Sequence, residues 1–386
     1  VGGTRIYRQQ LMNWKETARV YAAVSLGRPV CTCISRKLGK ASFTLTAGRE
    51  FESCRGHRSP PIDPDHRSTA ILECKMMIIP EYEPVGRLYL SFVNSFFHSR
   101  FDYGRTICDI AREVPGDVPV EIFVAEDEIP LLLKILAENG LSEDGMVLNP
   151  NSPLRGIIAE YFPVFCRDEQ GRGTGLHFRN DKLDLADYLH RFSGDIIDNL
   201  GFRPLRMEES FATARISVND DLCLVSEETA DSAAEARLEF FRSSFPLQRF
   251  IPVPPLAGDH TGDLDMFLWP VRPKVWLVSE YPDGTAQEIS VRPAIEAIRN
   301  HGHETLMIPG LPRIRYDDVN TMPNYANGIL LNGKALCPSY SRPEDEVAPR
   351  VLEKLGYEAV PVDCRRIIES NSGLHCISKT VPSSIL

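Results

Sequence analysis

"GILLNGKALCPSY" (residues 328–340), followed closely by "EDEVAPRVLEKLGYEAVPVDC" (344–364), decides the fold. Two short apolar runs flank Asn332-Gly333, the dipeptide of a tight hairpin whose two central residues both need positive φ. The second stretch carries apolar residues at helical spacing, stops at Gly356 and passes into another strand-like run. Its order is hairpin, helix, strand.

The same alternation extends outward along the chain. "GRLYLSF" within residues 75–92 and "VEIFVAE" (120–126) read as short apolar strands, and "KVWLVSEYPDG" (274–284) repeats the signal. "EIPLLLKILAENG" (128–140) has helical spacing and a stop at Gly140. Strand, hairpin, helix and strand recur at intervals of about 60 residues between 75 and 386, which predicts one radially repeated α/β domain rather than two unrelated halves. A doubly wound nucleotide-binding sheet is disfavoured, because no glycine-rich phosphate loop follows any strand; "GRGTG" (171–175) lacks the spacing and reads as a polar turn.

Composition is that of an ordinary globular chain: 386 residues, 43% hydrophobic, 25% charged. Acidic residues outnumber basic ones, 53 to 43, for a net charge of −10. That balance argues against nucleic acid or anionic lipid as a partner and fits a cationic small substrate better. No apolar run reaches the roughly 18 residues of a membrane span, so a soluble protein is expected. The ten cysteines show no CxxC pair and no zinc-ligand spacing. Free thiols in a reducing cytoplasm, with no metal or organic cofactor, are the expectation.

Residues 1–70 read differently. "SRKLGKASFTLTAGREFESCRGHRSPPIDPDHRS" (35–68) is basic, rich in Ser, Gly and Pro, and without sustained periodicity, as in a loop-rich or disordered extension. Within it "GREFESCRGHRSP" (48–60) resembles the translated T-arm of a transfer-RNA gene. The segment is either a genuine flexible tail or a gene-calling artefact upstream of the true start, and neither reading gives it a catalytic part. Residues 71–386 are the expected folded domain.

Five stretches of that domain carry a resemblance: "IIPEYEPVGRLYLSF" (78–92), "RDEQGR" (167–172), "TGDLDMF" (261–267), "NYANGILLNGKALCP" (324–338) and "SGLHCISKTVP" (372–382). In content and order they resemble the agmatine deiminase and Porphyromonas-type peptidylarginine deiminase family. The resemblance implies a pentein fold, a five-bladed propeller of ββαβ units around a central site. It also implies hydrolysis of a guanidinium to a ureido group with release of ammonia. Its substrates are small cationic guanidines such as agmatine or arginine, or an arginine-containing peptide.

That chemistry needs few residue types. Carboxylates hold the planar, charged guanidinium while a thiolate attacks its central carbon, and a proton donor serves the departing ammonia. By resemblance, Cys376 takes the place of the nucleophile, and Asp265 that of the second acid of a His-x-Asp pattern. On an extended strand residues 263 and 265 would share a face. The histidine of that pattern is Asp263 here, a carboxylate that two-acid crowding could keep protonated.

His260 is the alternative acid/base if "GDHTGD" (258–263) is a loop; on a strand it would face away and read as a surface histidine. Glu160 in "AEYFP" (159–163) stands where the first acid is expected, with Phe162 in place of a glycine. "ESFATARISVND" (209–220) replaces a Gly-Gly-Asn segment. His375 alternates to the opposite face from Cys376 and is expected to be packed or hydrogen-bonded there. With these departures a non-hydrolysing pentein that binds a guanidino ligand or protein partner, or an enzyme of amidinotransferase type, stands beside the hydrolase.

Overall fold

The structure, a computed structural model, describes residues 75–92, 103–150, 158–179, 186–227, 233–316 and 319–386. The expected extension over residues 1–70 lies outside them. In chain order the first elements are β1 (Met76–Ile78), β2 (Val85–Ser91), α1 (Tyr103–Glu113), β3 (Val120–Phe123), α2 (Ile129–Glu138) and β4 (Met146–Asn149). Next come β5 (Val164–Asp168), β6 (Gly173–Arg179), α3 (Ala186–Asn199), β7 (Arg203–Ser210), β8 (Ile216–Asn219), β9 (Leu222–Ser226), α4 (Ala234–Ser244) and β10 (Arg249–Val253). They are followed by β11 (Leu268–Arg272), β12 (Val275–Glu280), α5 (Ala286–Asn300), β13 (Glu304–Pro309), β14 (Ile314–Tyr316) and β15 (Val319–Thr321). The last are β16 (Ile329–Leu331), β17 (Lys334–Ser339), α6 (Val347–Lys354), β18 (Glu358–Asp363) and β19 (Ser378–Pro382).

These elements form five ββαβ units. In each, an antiparallel pair is followed by a helix and a strand parallel to the second member. The units are β5-β6-α3-β7, β8-β9-α4-β10, β11-β12-α5-β13 and β16-β17-α6-β18. The fifth takes its first strand from the far end of the chain: β19 pairs antiparallel with β2, and α1 leads to β3 parallel to β2. The stretch read first from the sequence folds as expected, with Asn332 at φ 48° and Gly333 at φ 96° between β16 and β17.

Turn side chains fasten each unit to the next. Gln248 exchanges two hydrogen bonds with the main chain of Ile78, whose strand β1 edges the first sheet, at 2.7 and 2.9 Å. Asn219 donates to the carbonyls of Arg272 and Val275 and accepts from Lys274 N–H. Tyr357 donates to Val271 O. Asn332, besides making its turn, accepts from Val85 N–H at 2.6 Å and donates to Val85 O at 3.0 Å. Between the fifth and first units, Ala159 N–H donates to Cys376 O at 3.2 Å and Arg167 pairs with Glu83 at 2.8 Å.

The apolar face of each helix packs on its sheet, and most of the buried side chains are aliphatic or aromatic. Phe162, expected to stand near the site in place of a glycine, lies instead in an aromatic cluster, its ring 4.9 Å from that of Tyr89 and 6.1 Å from those of Phe123 and Phe192. It is fully buried there and does not enter the site. Among the described residues no helix is long and apolar enough to cross a membrane.

Candidate active site

The first strands of the units border a central cavity, with Val164, Ile216, Leu268 and Thr380 on its wall beside Ala326. Asp265 and His375 reach it. Cys376 stands next to them on a turn, residues 374–377, that leads into β19. The turn depends on Gly373, because a Cβ at that position would lie 2.2 Å from Asn327 Oδ1. Without it Asn327 approaches closely, and its Oδ1 accepts from His375 N–H at 2.9 Å and from Cys376 N–H at 3.4 Å. Asn327 Nδ2 lies 3.4 Å from both Cys376 Sγ and Asp265 O. Asn327 therefore ties the thiol's turn to the acid's loop.

Asp265 sits in a single 3-10 turn, Leu264–Met266, with Asp263 as the residue just before it. The shared strand face expected from the sequence is thus not how the two acids meet. A turn, not a strand, brings both inward, and they are 4% (Asp263) and 8% (Asp265) exposed. Asp265 Oδ2 lies 3.8 Å from Cys376 Sγ. Asp265 Oδ1 and Asp263 Oδ1 are buried with no hydrogen-bond partner among the described residues. An orphaned buried acceptor is costly, so two beside one thiol mark a place for a donor-rich ligand.

The electrostatics follow from that crowding. Burial, then the negative charges of Glu160, Asp265 and Asp259, push the Asp263 carboxyl well above the usual carboxylate range, while Arg215 pulls the other way. Asp263 therefore holds its proton more tightly than an ordinary carboxyl does. Burial, then Asp265 and Asp263, likewise push the Cys376 thiol up. A cation bound among these acids would lower both, since it removes the unfavourable neighbour of each anion.

His375 is hydrogen-bonded, as expected, but to the acids of the site. Its Nδ1–H donates to Asp265 Oδ2 at 2.8 Å and its Nε2–H to Glu81 Oε2 at 2.7 Å. Burial alone would lower its pKa, but Glu81 and Asp265 outweigh that and raise it to about 10. The ring is an imidazolium at neutral pH, without a lone pair to act as a base. Glu81, held below the usual range because His375 and Lys379 outweigh its burial, passes the chain on to Lys379 Nζ at 2.6 Å.

Of the residues singled out from the sequence, the structure brings Cys376, Asp265 and Asp263 together, with Glu160 among the charges acting on Asp263. His260 is not brought in: residues 258–263 form a loop, and its side chain is exposed on it. The loop folds outward at that point because Asp259 Oδ2 captures Gly262 N–H and the Thr261 hydroxyl, each at 2.7 Å. Sequence reasoning passed over Glu81, Asn327 and Lys379. All three lie within stretches already quoted for the resemblance. Among the described residues no group of three or more His, Cys, Asp or Glu side chains is placed to hold a metal.

Residues 220–382 match the model of the family described as Porphyromonas-type peptidyl-arginine deiminase. No curated protein matches the chain. Among solved structures, C. jejuni agmatine deiminase superposes with a TM-score of 0.66 at 15% identity, covering 80% of this chain and 97% of that one. The agmatine deiminase of Enterococcus faecalis gives a TM-score of 0.68 at 10% identity, covering 80% of this chain and 96% of that one. The resemblance read from five short motifs is thus met by a family match over the C-terminal part of the chain, and the fold of the described residues is the pentein fold of the agmatine deiminases.

Proposed function

We propose that the chain is a guanidino-group hydrolase, a deiminase that acts on a cationic guanidine through Cys376. The observation that carries this reading is the pair of unpartnered buried oxygens, Asp263 Oδ1 and Asp265 Oδ1, in carboxyls that both act on one thiol. A planar guanidinium offers donors to Asp265 and Glu160 at once and neutralises the site that receives it. The family match and the solved agmatine deiminases of the same fold support it.

In the first half-reaction Cys376 Sγ bonds to the guanidinium carbon and one C–N bond breaks. The thiol proton leaves with the departing nitrogen as ammonia, relayed through Asp263, which donates from its protonated carboxyl and is reprotonated from the thiol. The product is a cationic amidino-thioether on Cys376. Water then adds to the same carbon and the C–S bond breaks, giving the ureido product, the thiol and a proton that converts ammonia to ammonium. His375 moves no proton in this scheme; as a fixed imidazolium it orients Asp265.

The substrate is proposed to be agmatine, free arginine or a peptidyl arginine. Ammonia release from each by the full chain, with Cys376→Ala beside it, tests the reading. Release that disappears in the variant is expected. Tight binding of a guanidine with no ammonia would make the chain a guanidino-binding protein instead.

A further inference from the structure

Residues 209–220 depart from the resemblance, yet one turn within them touches both the segment that carries Glu160 and the loop that carries Asp263. Thr213–Arg215 form a single 3-10 turn, buried throughout. Thr213 N–H donates to Glu160 O at 2.9 Å, and the Thr213 hydroxyl donates to Ala159 O. Ala159 N–H in turn donates to Cys376 O. From the other end of the turn, Arg215 Nε–H and Nη2–H both donate to Thr261 O, at 3.2 and 2.6 Å. Its guanidinium packs against Gly262, where a Cβ would come within 2.5 Å of Nη2 and 2.9 Å of Cζ, and where φ is +75°. Asp263 is the next residue.

We propose that Thr213 and Arg215 are positioning residues for the candidate reaction: one turn fixes the main chain at Glu160 with one end and the peptide before Asp263 with the other, and so sets how the two acids face each other and the thiol. The inference rests on the deiminase reading for its kinetic consequence but not for its geometry. Backbone held from both sides by a buried turn has one arrangement, which is what a proton relay between carboxyl and thiol requires.

Arg215 also supplies charge. Glu160, Asp265 and Asp259 surround Asp263 with negative charge, Cys376 stands beyond, and Arg215 is a cation that opposes their effect on Asp263. Removing it must raise the proton affinity of Asp263 further, whereas a lysine that keeps the charge without the fork would lose the two-pronged hold on Thr261 O but not the field. Gly262 explains how the guanidinium gets so close: any side chain there would displace it, and its left-handed backbone favours glycine for the same reason.

The test uses the full chain in four variants, Arg215→Met, Arg215→Lys, Thr213→Val and Thr213→Ser. Carbon-13 label on the aspartate carboxyls, with Asp263→Asn to assign the resonance, reports the titration of Asp263 directly. Arg215→Met is expected to move that midpoint upward and Arg215→Lys to leave it near wild type. Arg215→Met and Thr213→Val are expected to lower kcat on the order of a hundredfold with KM changed far less, since misplacement of about 1 Å has that size of effect. Thr213→Ser, which keeps the hydroxyl, should recover most of it.

An Asp263 midpoint unmoved in Arg215→Met, or a loss of rate that only follows the melting temperature across all four variants, would overturn the proposal. If the wild-type chain releases no ammonia, the deiminase reading fails, while the carboxyl titration still supports or overturns the role of Arg215.

Discussion

His375 and Asp265 are joined at 2.8 Å, Nδ1 to Oδ2, and the same carboxylate oxygen stands 3.8 Å from Cys376 Sγ. The imidazolium holds one oxygen of Asp265 and leaves the other for a ligand. Replacing His375 by Gln keeps a donor but removes the charge between Asp265 and Glu81, so turnover is expected to fall about 10- to 100-fold, the size of effect typical of an outer partner that orients a site ligand. Ammonia release by the variant at saturating substrate measures it.

The same pair gives stability a pH dependence with a definite sign. The folded-state pKa of His375 is raised from 6.5 to about 10, so its contribution is complete below pH 6.5 and is lost as pH rises toward 10. Glu81 is lowered from 4.5, so its contribution is complete above pH 4.5 and is lost as pH falls below that. The difference in melting temperature between the wild-type chain and His375→Gln is expected to be largest between pH 4.5 and 6.5 and to shrink toward pH 10.

Asp263 must be protonated to serve the departing ammonia, and burial with the charges of Glu160, Asp265 and Asp259 shifts it toward that form. Activity is expected to fall as pH rises through its pKa in the bound state. Asp263→Asn removes the proton relay and is expected to cost about a hundred- to ten-thousand-fold in kcat. Asp263→His should retain far more and exceed wild-type turnover, because Glu160, Asp265 and Asp259 would hold an imidazolium there. Rate against pH for the three proteins checks both statements.

Away from the site, Arg237 of α4 makes a two-pronged bond to Glu227, both side chains being almost wholly buried. Arg237→Met leaves an unpaired buried carboxylate and is expected to destabilise the chain by about 3–5 kcal/mol. The double variant Arg237→Met/Glu227→Gln should lose less than the single one, and urea unfolding of the two distinguishes them.

His177 of β6 is 1% exposed and stacks on His190 at 4.5 Å, with neither ring nitrogen hydrogen-bonded among the described residues. Burial, then His190 and Arg206, lower its pKa from 6.5 to about 4. The unfolded chain takes up this proton first, so stability is expected to be lost as pH falls from 6.5 toward 4. His177→Phe should flatten that part of the profile, as melting temperature against pH would show.

The ββαβ units were legible because their signals are local. Asn332-Gly333 specifies its turn with two residues, and Gly140 and Gly356 follow the ends of α2 and α6 as read. The site was legible only where the resemblance supplied a motif. Alternation along an assumed strand turned His375 away from Cys376, whereas residues 374–377 form a turn in which period-two reasoning does not apply. The same assumption aligned Asp263 with Asp265 for the wrong reason. Glu81, Asn327 and Arg215 meet partners 294, 49 and 46 positions away, and no local pattern encodes such pairings.

Intact-protein mass spectrometry after acid quench, during turnover of agmatine, free arginine or an arginine peptide, tests most directly whether Cys376 does the chemistry. The expected result is an added mass equal to the substrate less one ammonia, mapped to the peptide that contains Cys376 and absent from Cys376→Ala. Ammonia release with the thiol unmodified throughout, or undiminished in Cys376→Ala, would contradict it.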